Sequence, residues 1–231
     1  MFHKFFEFAG EKNKRDIQNE EEFLKYCSGK SFLNGLYRIH NTEDIPKWNG
    51  IVGKAFPGFS GKIRTFGYDW KGNQFALDTD RNVVLLFEPG SGKVSDLKED
   101  FVDFHNEIMP GNREECLDES LFEKWYEAND KYQLLLNECI GYKVPLFLNG
   151  NKELDNLSKY AMDFYWEVMR INNLKERDIE IFADFVCFTK ADENIIRKYS
   201  ESIPALLMEI WKKYGFGTFF GGYLKVINPD D

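Results

Sequence analysis

Cys116, Cys139 and His105 are the residues whose types could support nucleophilic catalysis. A thiol becomes an effective nucleophile when a base such as imidazole lies within hydrogen-bond reach of it. Nothing in the spacing of these residues predicts such a meeting. Cys139 follows an apolar stretch, which is typical of a small buried hydrophobic residue, and His105 comes directly after the apolar face of its predicted helix. We therefore predict a non-catalytic protein.

The segment from Phe87 to Val94 contains a Gly-Ser-Gly-Lys run that suggests a phosphate-binding loop. Such a loop requires glycine where Phe87 stands and serine or threonine where Val94 stands, so the motif is incomplete. Proline, glycine and serine at these positions are instead typical of a β-turn. The run predicts a tight turn and no nucleotide cofactor.

Metal-ligand spacing is also missing from the sequence. The three histidines, His3, His40 and His105, do not form an H-x-x-x-H pattern, and the four cysteines are not paired. Asp78-Thr79-Asp80 resembles the start of a calcium loop but lacks its glycine and its terminal glutamate, so an Asp-rich hairpin turn is the simpler interpretation. No metal or other cofactor is expected.

Carboxylates cluster twice on predicted helices. The first cluster is Glu99, Asp100 and Asp103, and the second is Glu114, Glu115, Asp118 and Glu119. Buried together, such groups could perform acid–base work. On surface helices they are solvated, and their remaining functional use is as an acidic docking face for a basic protein.

The charge balance points to the same kind of partner. The 231 residues include 39 acidic and 30 basic side chains, a net charge of −9, and the sequence pI is near 5.0. An acidic surface repels phosphate backbones, so nucleic-acid binding is not expected, whereas a basic protein would be attracted. The sequence shows no signal peptide and no run of 18 apolar residues, so we expect a cytoplasmic protein without membrane spans.

The elements that must position these residues follow a mixed pattern. Short apolar runs at 62–68, 74–77, 83–88 and 93–94 are separated by turn residues and predict an antiparallel meander. Helical spacing follows from Leu97 to Ile108, with Asp96 as its predicted N-cap, then over 121–135 and 158–172. The fold class is therefore α+β, with a β-meander sheet flanked by helices and a C-terminal helical segment ending in a short strand.

Two stretches of the chain resemble each other. Phe2, Phe5 and Phe8 match Phe182, Phe185 and Phe188, and residues 34–44 align with residues 221–231. The spacing between the two matches differs, and we assign the difference to an extra helix from Ile203 to Tyr214. Chance similarity remains an alternative to a true internal repeat. We divide the chain into an α+β domain at 1–175 and a partial repeat unit at 176–231.

Several blocks, taken in order, resemble a bacterial family. They are Phe66–Asp78, Leu85–Gly92, Phe101–Glu107, Gly141–Gly150, Trp211–Gly217 and Val226–Asp231. This order is similar to proteins with GAD-like domains and to immunity proteins of type VI secretion, near the SUKH immunity superfamily. The resemblance implies an α+β, cytosolic protein that neutralises a toxin by binding it. It implies a partial GAD-like unit at 176–231 and carries over no catalytic residues.

These observations lead to one functional hypothesis and two alternatives. We expect an immunity-type protein that covers a basic toxin domain with an acidic and aromatic face. The candidate residues of that face are Asp69, Trp70, Asp78, Asp80, Asp100 and Asp103. Turn chemistry could also account for Asp69, Trp70 and Asp78. The first alternative is a small-molecule binder or enzyme with a cleft beside the meander, and the second is a dimerisation module. The oligomeric state and the toxin are left open.

Overall fold

A computed structural model describes residues 1–11, 16–175, 186–199, 202–203, 205–219 and 224–230. The chain divides into two compact units, Met1–Asn173 and Leu174–Asp231. The described residues of unit 1 form two sheets, seven α-helices and most of an eighth, α8, which continues to Lys175. The bounds of these elements are as follows: α1 His3–Phe8, α2 Glu20–Cys27, β1 Ser31–Phe32, β2 Tyr37–Ile39, α3 Ile45–Ala55, β3 Ile63–Asp69, β4 Gln74–Asp78, β5 Val83–Glu88, β6 Lys93–Asp96, α4 Phe101–Asp103, α5 Met109–Gly111, α6 Arg113–Leu117, α7 Glu119–Ala128, β7 Glu138–Tyr142, β8 Leu157–Ala161 and α8 Met162–Lys175. A π-helical stretch, Phe104–Ile108, joins α4 to α5.

The main sheet is a six-stranded antiparallel meander in which β1 to β6 pair in chain order. This arrangement confirms the predicted α+β class and the four predicted meander strands. Both faces of the sheet are covered, which explains why β5 reads as a continuous apolar run and not as an alternating pattern. Val84 and Leu86 pack into one core with α1, α2 and the 101–128 helices. Leu85 and Phe87 pack into a second core with α3 and α8.

Three helix boundaries differ from the predictions. The N-cap of α4 is Asp100, whose side chain accepts hydrogen bonds from the backbone N–H groups of Val102 and Asp103; the predicted cap, Asp96, ends β6 instead. Helix α7 ends at Ala128 and not at residue 135, because Asp130 and Lys131 adopt left-handed backbone angles that stop the helix.

The predicted helix at 158–172 begins four residues later. Leu157–Ala161 forms β8, which pairs antiparallel with β7, and the helical spacing starts at Met162. Local sequence could not separate these four residues from the helix because the decision rests on a partner strand that lies about twenty positions earlier in the chain.

Unit 2 contains β9 Val186–Thr189, α9 Glu193–Tyr199, α10 Ala205–Tyr214, β10 Phe216–Phe219 and β11 Leu224–Val226. Its three strands form an antiparallel sheet in the order β11-β10-β9. The hydroxyl of Tyr199 and the ammonium of Lys198 both donate to Asp230, at 2.7 and 2.5 Å. This contact ties the end of α9 to the residues that follow β11.

The later part of the internal repeat is a structural match. The hairpin β1–β2 pairs Ser31 with Arg38 and Phe32 with Tyr37. The hairpin β10–β11 pairs Thr218 with Lys225 and Phe219 with Leu224, the same register at a constant shift of 187 residues. Helix α10 stands before its hairpin as α2 does, so it is a counterpart of α2 and not the predicted extra helix.

The Phe-x-x-Phe part of the repeat is not matched. Phe8 ends the helix α1, whereas Phe188 lies in the strand β9, and Phe182 and Phe185 lie outside the described residues.

Candidate functional site

Asp69 closes the turn between β3 and β4. Its Oδ1 accepts hydrogen bonds from the backbone N–H of Lys71 at 2.8 Å and of Asn73 at 2.9 Å, and its Oδ2 accepts one from Asn73 Nδ2 at 2.8 Å. The side chain is fully buried. Burial raises the pKa of Asp69 to about 7, although Lys71 and the Asn73 hydrogen bonds act in the opposite direction. In this structure Asp69 organises a turn and is not exposed to a partner.

Trp70 is also fully buried. Its Nε1–H donates to the backbone carbonyl of Leu117 at 2.7 Å. Its ring packs against Phe122 and Trp125, with centroid distances of 5.5 and 6.0 Å. The indole therefore joins the meander to α6 and α7, and a partner cannot reach it directly.

The four remaining candidates lie in two places. Asp78 is buried and accepts hydrogen bonds from Asp80 N and Arg81 N in the β4–β5 turn, and Asp100 caps α4. Asp80 and Asp103 are exposed. Asp69 and Asp80 stand at opposite ends of β4, whose five residues span roughly 17 Å. The structure thus does not bring the candidate residues onto one face around the meander.

The histidine–cysteine pair considered from the sequence is not arranged for attack on a substrate. Nδ1 of His105 lies 2.7 Å from the Phe101 carbonyl, and Nε2 lies 3.0 Å from the Tyr37 hydroxyl. Both ring nitrogens are therefore occupied. Burial lowers the pKa of His105 to about 3 and raises the pKa of Cys116 to about 11. A thiol with so high a pKa is a poor nucleophile at neutral pH.

The Pro89–Gly92 segment is the β5–β6 hairpin turn, closed by a hydrogen bond from Gly92 N to the Glu88 carbonyl at 2.9 Å. A Cβ atom added at Gly90 would lie 2.6 Å from both the Tyr142 ring and the Tyr165 hydroxyl. Close packing against aromatic side chains accounts for glycine here, as the turn interpretation of the sequence requires.

A groove runs along α7, between that helix and the chain at 152–159. It consists of two adjoining cavities of about 560 and 430 Å³ that share Leu154 and Asp155. Helix α7 contributes apolar wall from Leu121, Trp125 and Ala128. Leu154 and Tyr132, which also line the groove, are 38% and 37% exposed. We call this feature the α7 groove.

The charge of the adjoining helices is strongly negative. Residues 113–130 contain seven acidic and two basic side chains, so this segment of 18 residues carries a net charge of −5 of the −9 of the whole chain. Asp118 is neutralised by Lys71. Glu115, Glu123 and Asp130 are exposed and have no ion pair among the residues described by the structure. The lining of the groove itself holds four carboxylates and three ammonium groups: Glu114, Asp118, Glu153, Asp155, Lys124, Lys152 and Lys159.

Exposed apolar side chains are frequent in the residues that follow α7, and two of them, Tyr132 and Leu154, line the groove. Between positions 132 and 164, seven large hydrophobic side chains are exposed by at least 37%: Tyr132, Leu135, Leu136, Val144, Leu148, Leu154 and Phe164. Sequence reasoning missed this surface because it assigned the 132–135 and 158–161 segments to buried helix faces. The cluster Glu114–Glu119, already noted as a docking face, was the one signal that pointed to it.

Comparisons with known proteins locate one family. The GAD-like domain model matches residues 176–231, which confirms the resemblance noted for that part of the sequence. No curated protein matches the chain. Among solved structures, the chain is similar to the crystal structure of Atu4351 from Agrobacterium tumefaciens, with 16% identity, a TM-score of 0.53, and coverage of 74% of this chain and 88% of that chain. At this identity the likeness shows the fold alone.

No helix in the described part of the chain is long and apolar enough to cross a membrane.

Proposed function

We propose that this chain is a non-catalytic binding protein of the immunity type, which neutralises a basic toxin domain by direct contact in the cytoplasm. The observation that carries the proposal is the α7 groove, where exposed apolar side chains meet the segment with a net charge of −5. The GAD-like match at 176–231 supports the family context.

Each part of the groove has a distinct role in this proposal. Protein interfaces gain most of their free energy from a few aromatic and aliphatic anchors that fill pockets. In the α7 groove, such anchors of a partner would pack against Leu154, Tyr132 and Trp125. The acidic side chains of residues 113–130 favour a basic partner through long-range attraction, which accelerates association and weakens as salt rises. The occupant that fits this surface is therefore a basic protein domain with an apolar centre.

The test begins with the proteins encoded next to this chain in its source genome. Each is expressed in a bacterial host with and without this protein, and growth is measured. We expect one neighbour to arrest growth alone, to be tolerated with this protein present, and to co-purify with it. If no neighbouring protein is both toxic and bound, the proposal is wrong.

Two charge-reversal variants locate the contact. Glu153→Lys with Asp155→Lys changes two exposed side chains that line the groove, and the matched control, Asp80→Lys with Asp103→Lys, makes the same change in net charge elsewhere. At low salt we expect the first variant to slow association roughly tenfold and the control to associate as the unaltered protein does. Equal effects would remove the groove from the proposal, and a larger effect of the control would favour the surface first predicted from the sequence.

A further substitution tests the apolar part of the groove. Leu154→Asp places a charge among the apolar lining, and because Leu154 is already 38% exposed, the fold should tolerate it. We expect faster dissociation of the complex, by at least about tenfold, with little change in the salt dependence of association. Unchanged dissociation would show that the apolar wall is not buried by the partner.

A further inference from the structure

A further cavity, separate from the α7 groove and of about 250 Å³, lies where β2 ends and α3 begins, beside the meander. Its wall includes His40, Asp44, Lys47, Leu136, Met162 and Asp163. None of these residues belongs to the α7 groove. The cavity thus has its own chemistry, which the proposed function does not use.

His40 is the most deeply placed polar side chain of this wall, with 3% of its surface exposed. Its ring stacks against Trp48 and Tyr68, at centroid distances of 5.2 and 4.5 Å and interplanar angles of 23° and 28°. These two rings fix the plane of the imidazole. The side chain is therefore held in one orientation before any ligand arrives.

The hydrogen bonds of His40 determine which ring nitrogen carries the proton. Nε2 lies 2.6 Å from Oε1 of Gln74. The amide nitrogen of Gln74 faces the Gly72 carbonyl at 3.3 Å, which fixes the amide so that its oxygen points to His40. An amide oxygen only accepts, so Nε2 of His40 donates. In the neutral imidazole Nδ1 is then an acceptor, and it has no hydrogen-bond partner among the described residues.

Burial keeps this imidazole neutral at physiological pH. Desolvation lowers the pKa of His40 to about 4, although the hydrogen bond with Gln74 and the charge of Asp44 act in the opposite direction. The lone pair on Nδ1 is therefore available to a donor. Because His40 lines the cavity, a ligand in the cavity that supplies an N–H group can donate to this nitrogen.

The two carboxylates of the cavity are in different states. Asp163 is engaged on both oxygens: Oδ2 by the ammonium of Lys47 at 3.0 Å, and Oδ1 by the backbone N–H of Phe164 at 2.9 Å. Asp44 accepts one hydrogen bond, from Asn41 Nδ2 at 3.0 Å, and has no ion pair in the described part of the chain. The cavity therefore presents an uncompensated negative charge together with the open acceptor of His40.

The complementary ligand is an organic cation. No group of three His, Cys, Asp or Glu side chains in the described ranges could hold a metal ion. Leu136 and Met162 give the wall an apolar portion. We propose that the cavity binds an alkylammonium or alkylguanidinium group, which donates to Nδ1 of His40 and to the carboxylate of Asp44 while its alkyl stem packs against Leu136 and Met162. The source is a free small amine or the basic side chain of a protein.

The test uses n-butylammonium and n-butylguanidinium as probes, with n-butanol as the neutral control, and follows the imidazole ¹⁵N signals by NMR. The chain has three histidines, so assignment is simple. We expect the cations to bind in the millimolar range, as suits ligands of this size, and to shift Nδ1 of His40 towards lower frequency as it accepts a hydrogen bond. Equal binding of n-butanol, an unmoved Nδ1 signal, or no saturable binding of either cation would overturn the proposal.

A matched pair of variants tests the role of Asp44. Asp44→Asn keeps an acceptor for Asn41 but removes the charge, and we expect it to weaken binding of the cations about tenfold or more. Glu43→Gln removes the same charge from the adjacent exposed residue, which is not part of the wall, and should weaken binding less than about twofold. If the two variants weaken binding equally, Asp44 does not contact the ligand.

The source of the cation is distinguished by N-acetyl-arginine-N-methylamide. Binding as tight as that of n-butylguanidinium shows that a side chain on a polypeptide can enter the cavity, whereas exclusion of the blocked arginine shows that the site takes a free amine. Because Glu153 and Asp155 are not part of the wall of this cavity, the Glu153→Lys with Asp155→Lys variant should bind the small cations normally, so failure at this cavity and failure at the α7 groove are distinguishable.

Discussion

His105 illustrates how the fold uses an ionisable side chain as a neutral core residue. Its ring lies among aromatic side chains, with the Phe101 and Phe23 rings at 4.4 and 4.5 Å. The Phe101 carbonyl accepts a hydrogen bond from Nδ1–H of His105. Nε2 is therefore unprotonated and accepts a hydrogen bond from the Tyr37 hydroxyl. The buried imidazole satisfies two polar groups inside an aromatic cluster, which gives it a structural role.

Tyr37→Phe should destabilise unit 1 by about 1–3 kcal/mol, because it leaves Nε2 of His105 as a buried acceptor without a donor. The free energy of unfolding is measured by urea denaturation followed by circular dichroism. Tyr126→Phe is the control, since its hydroxyl bonds to Gln133 at an exposed position and its loss should change stability by less than about 0.5 kcal/mol. Comparable losses in the two variants would contradict the assigned hydrogen bond.

Trp70→Phe tests whether the Trp70 indole stabilises the fold of unit 1 or contacts the partner directly. Removal of the indole leaves the Leu117 carbonyl without its donor and a gap beside Phe122. We expect a loss of roughly 2–4 kcal/mol in unfolding free energy. At temperatures where the variant remains folded, partner affinity should change little. A large loss of affinity with normal stability would restore Trp70 as a direct partner contact.

At the scale of the elements, the β3–β4 turn depends on the left-handed backbone conformation of Gly72. Gly72 has a φ of +78°, and an added Cβ would lie 3.0 Å from Cβ of Cys139 and 3.2 Å from Met162. Cys139 lies in β7 and Met162 begins α8. A side chain at this position would press the hairpin against two other elements.

Gly72→Ala should therefore lower the free energy of unfolding more than a glycine-to-alanine substitution that introduces backbone strain only. Gly61 is the matched control, because its φ is +75° and nothing lies within 4 Å of an added Cβ. We expect about 1 kcal/mol for Gly61→Ala from backbone strain, and at least about 1 kcal/mol more for Gly72→Ala from the contacts with Cys139 and Met162. Thermal unfolding of the two variants gives the comparison, and equal melting temperatures would argue against close packing at Gly72.

At the scale of the whole molecule, buried ionisable groups make stability depend on pH. The pKa of His40 is lowered to about 4 and that of His105 to about 3, from 6.5 for an ordinary histidine. Both are neutral in the fold and take up protons on unfolding, so their contribution is complete above pH 6.5 and is lost as the pH falls. Asp69 acts in the opposite sense, because its pKa is raised from 3.8 to about 7.

The net effect is one more proton bound by the unfolded chain between about pH 4 and 6.5. We expect the unfolding free energy to fall by about 1.4 kcal/mol for each pH unit in this window as acid is added. Urea denaturation of the unaltered protein at several pH values measures the slope. A flat profile, or stability that rises on acidification, would show that the two histidines are not held neutral.

Much of the fold could be predicted from the sequence, because local signals agree with the final arrangement. Turn residues such as Gly72 and Pro89 delimit strands that lie next to one another in the chain. The second strand of each repeated hairpin was also visible as residue similarity between 34–44 and 221–231, whereas the correspondence of α10 with α2 was not. In each case the partners are close in sequence or share residue types, so short-range patterns contain the information.

The candidate sites could not be predicted in the same way. The sequence predicts Asp69, Trp70 and Asp78 on an exposed face, yet the packing of neighbouring elements buries all three. Asp44 and Met162 meet at one cavity although 118 positions separate them. Whether a side chain is covered, and which distant residue lies beside it, depends on contacts between elements that a local pattern does not encode.

The sequence by itself determined the fold class, the meander, the acidic character and the similarity of two hairpin units, since each follows from residue order and composition. Only the tertiary structure decided that β8 is a strand and that Asp69, Trp70 and Asp78 of the predicted acidic face are interior. It also decided that the open acceptor of His40 faces a cavity and that exposed apolar side chains line the α7 groove. The physical reason is that burial and desolvation are properties of packed elements. An aspartate can stabilise a turn, cap a helix or bind a ligand, and its surroundings in the fold decide which of these it does.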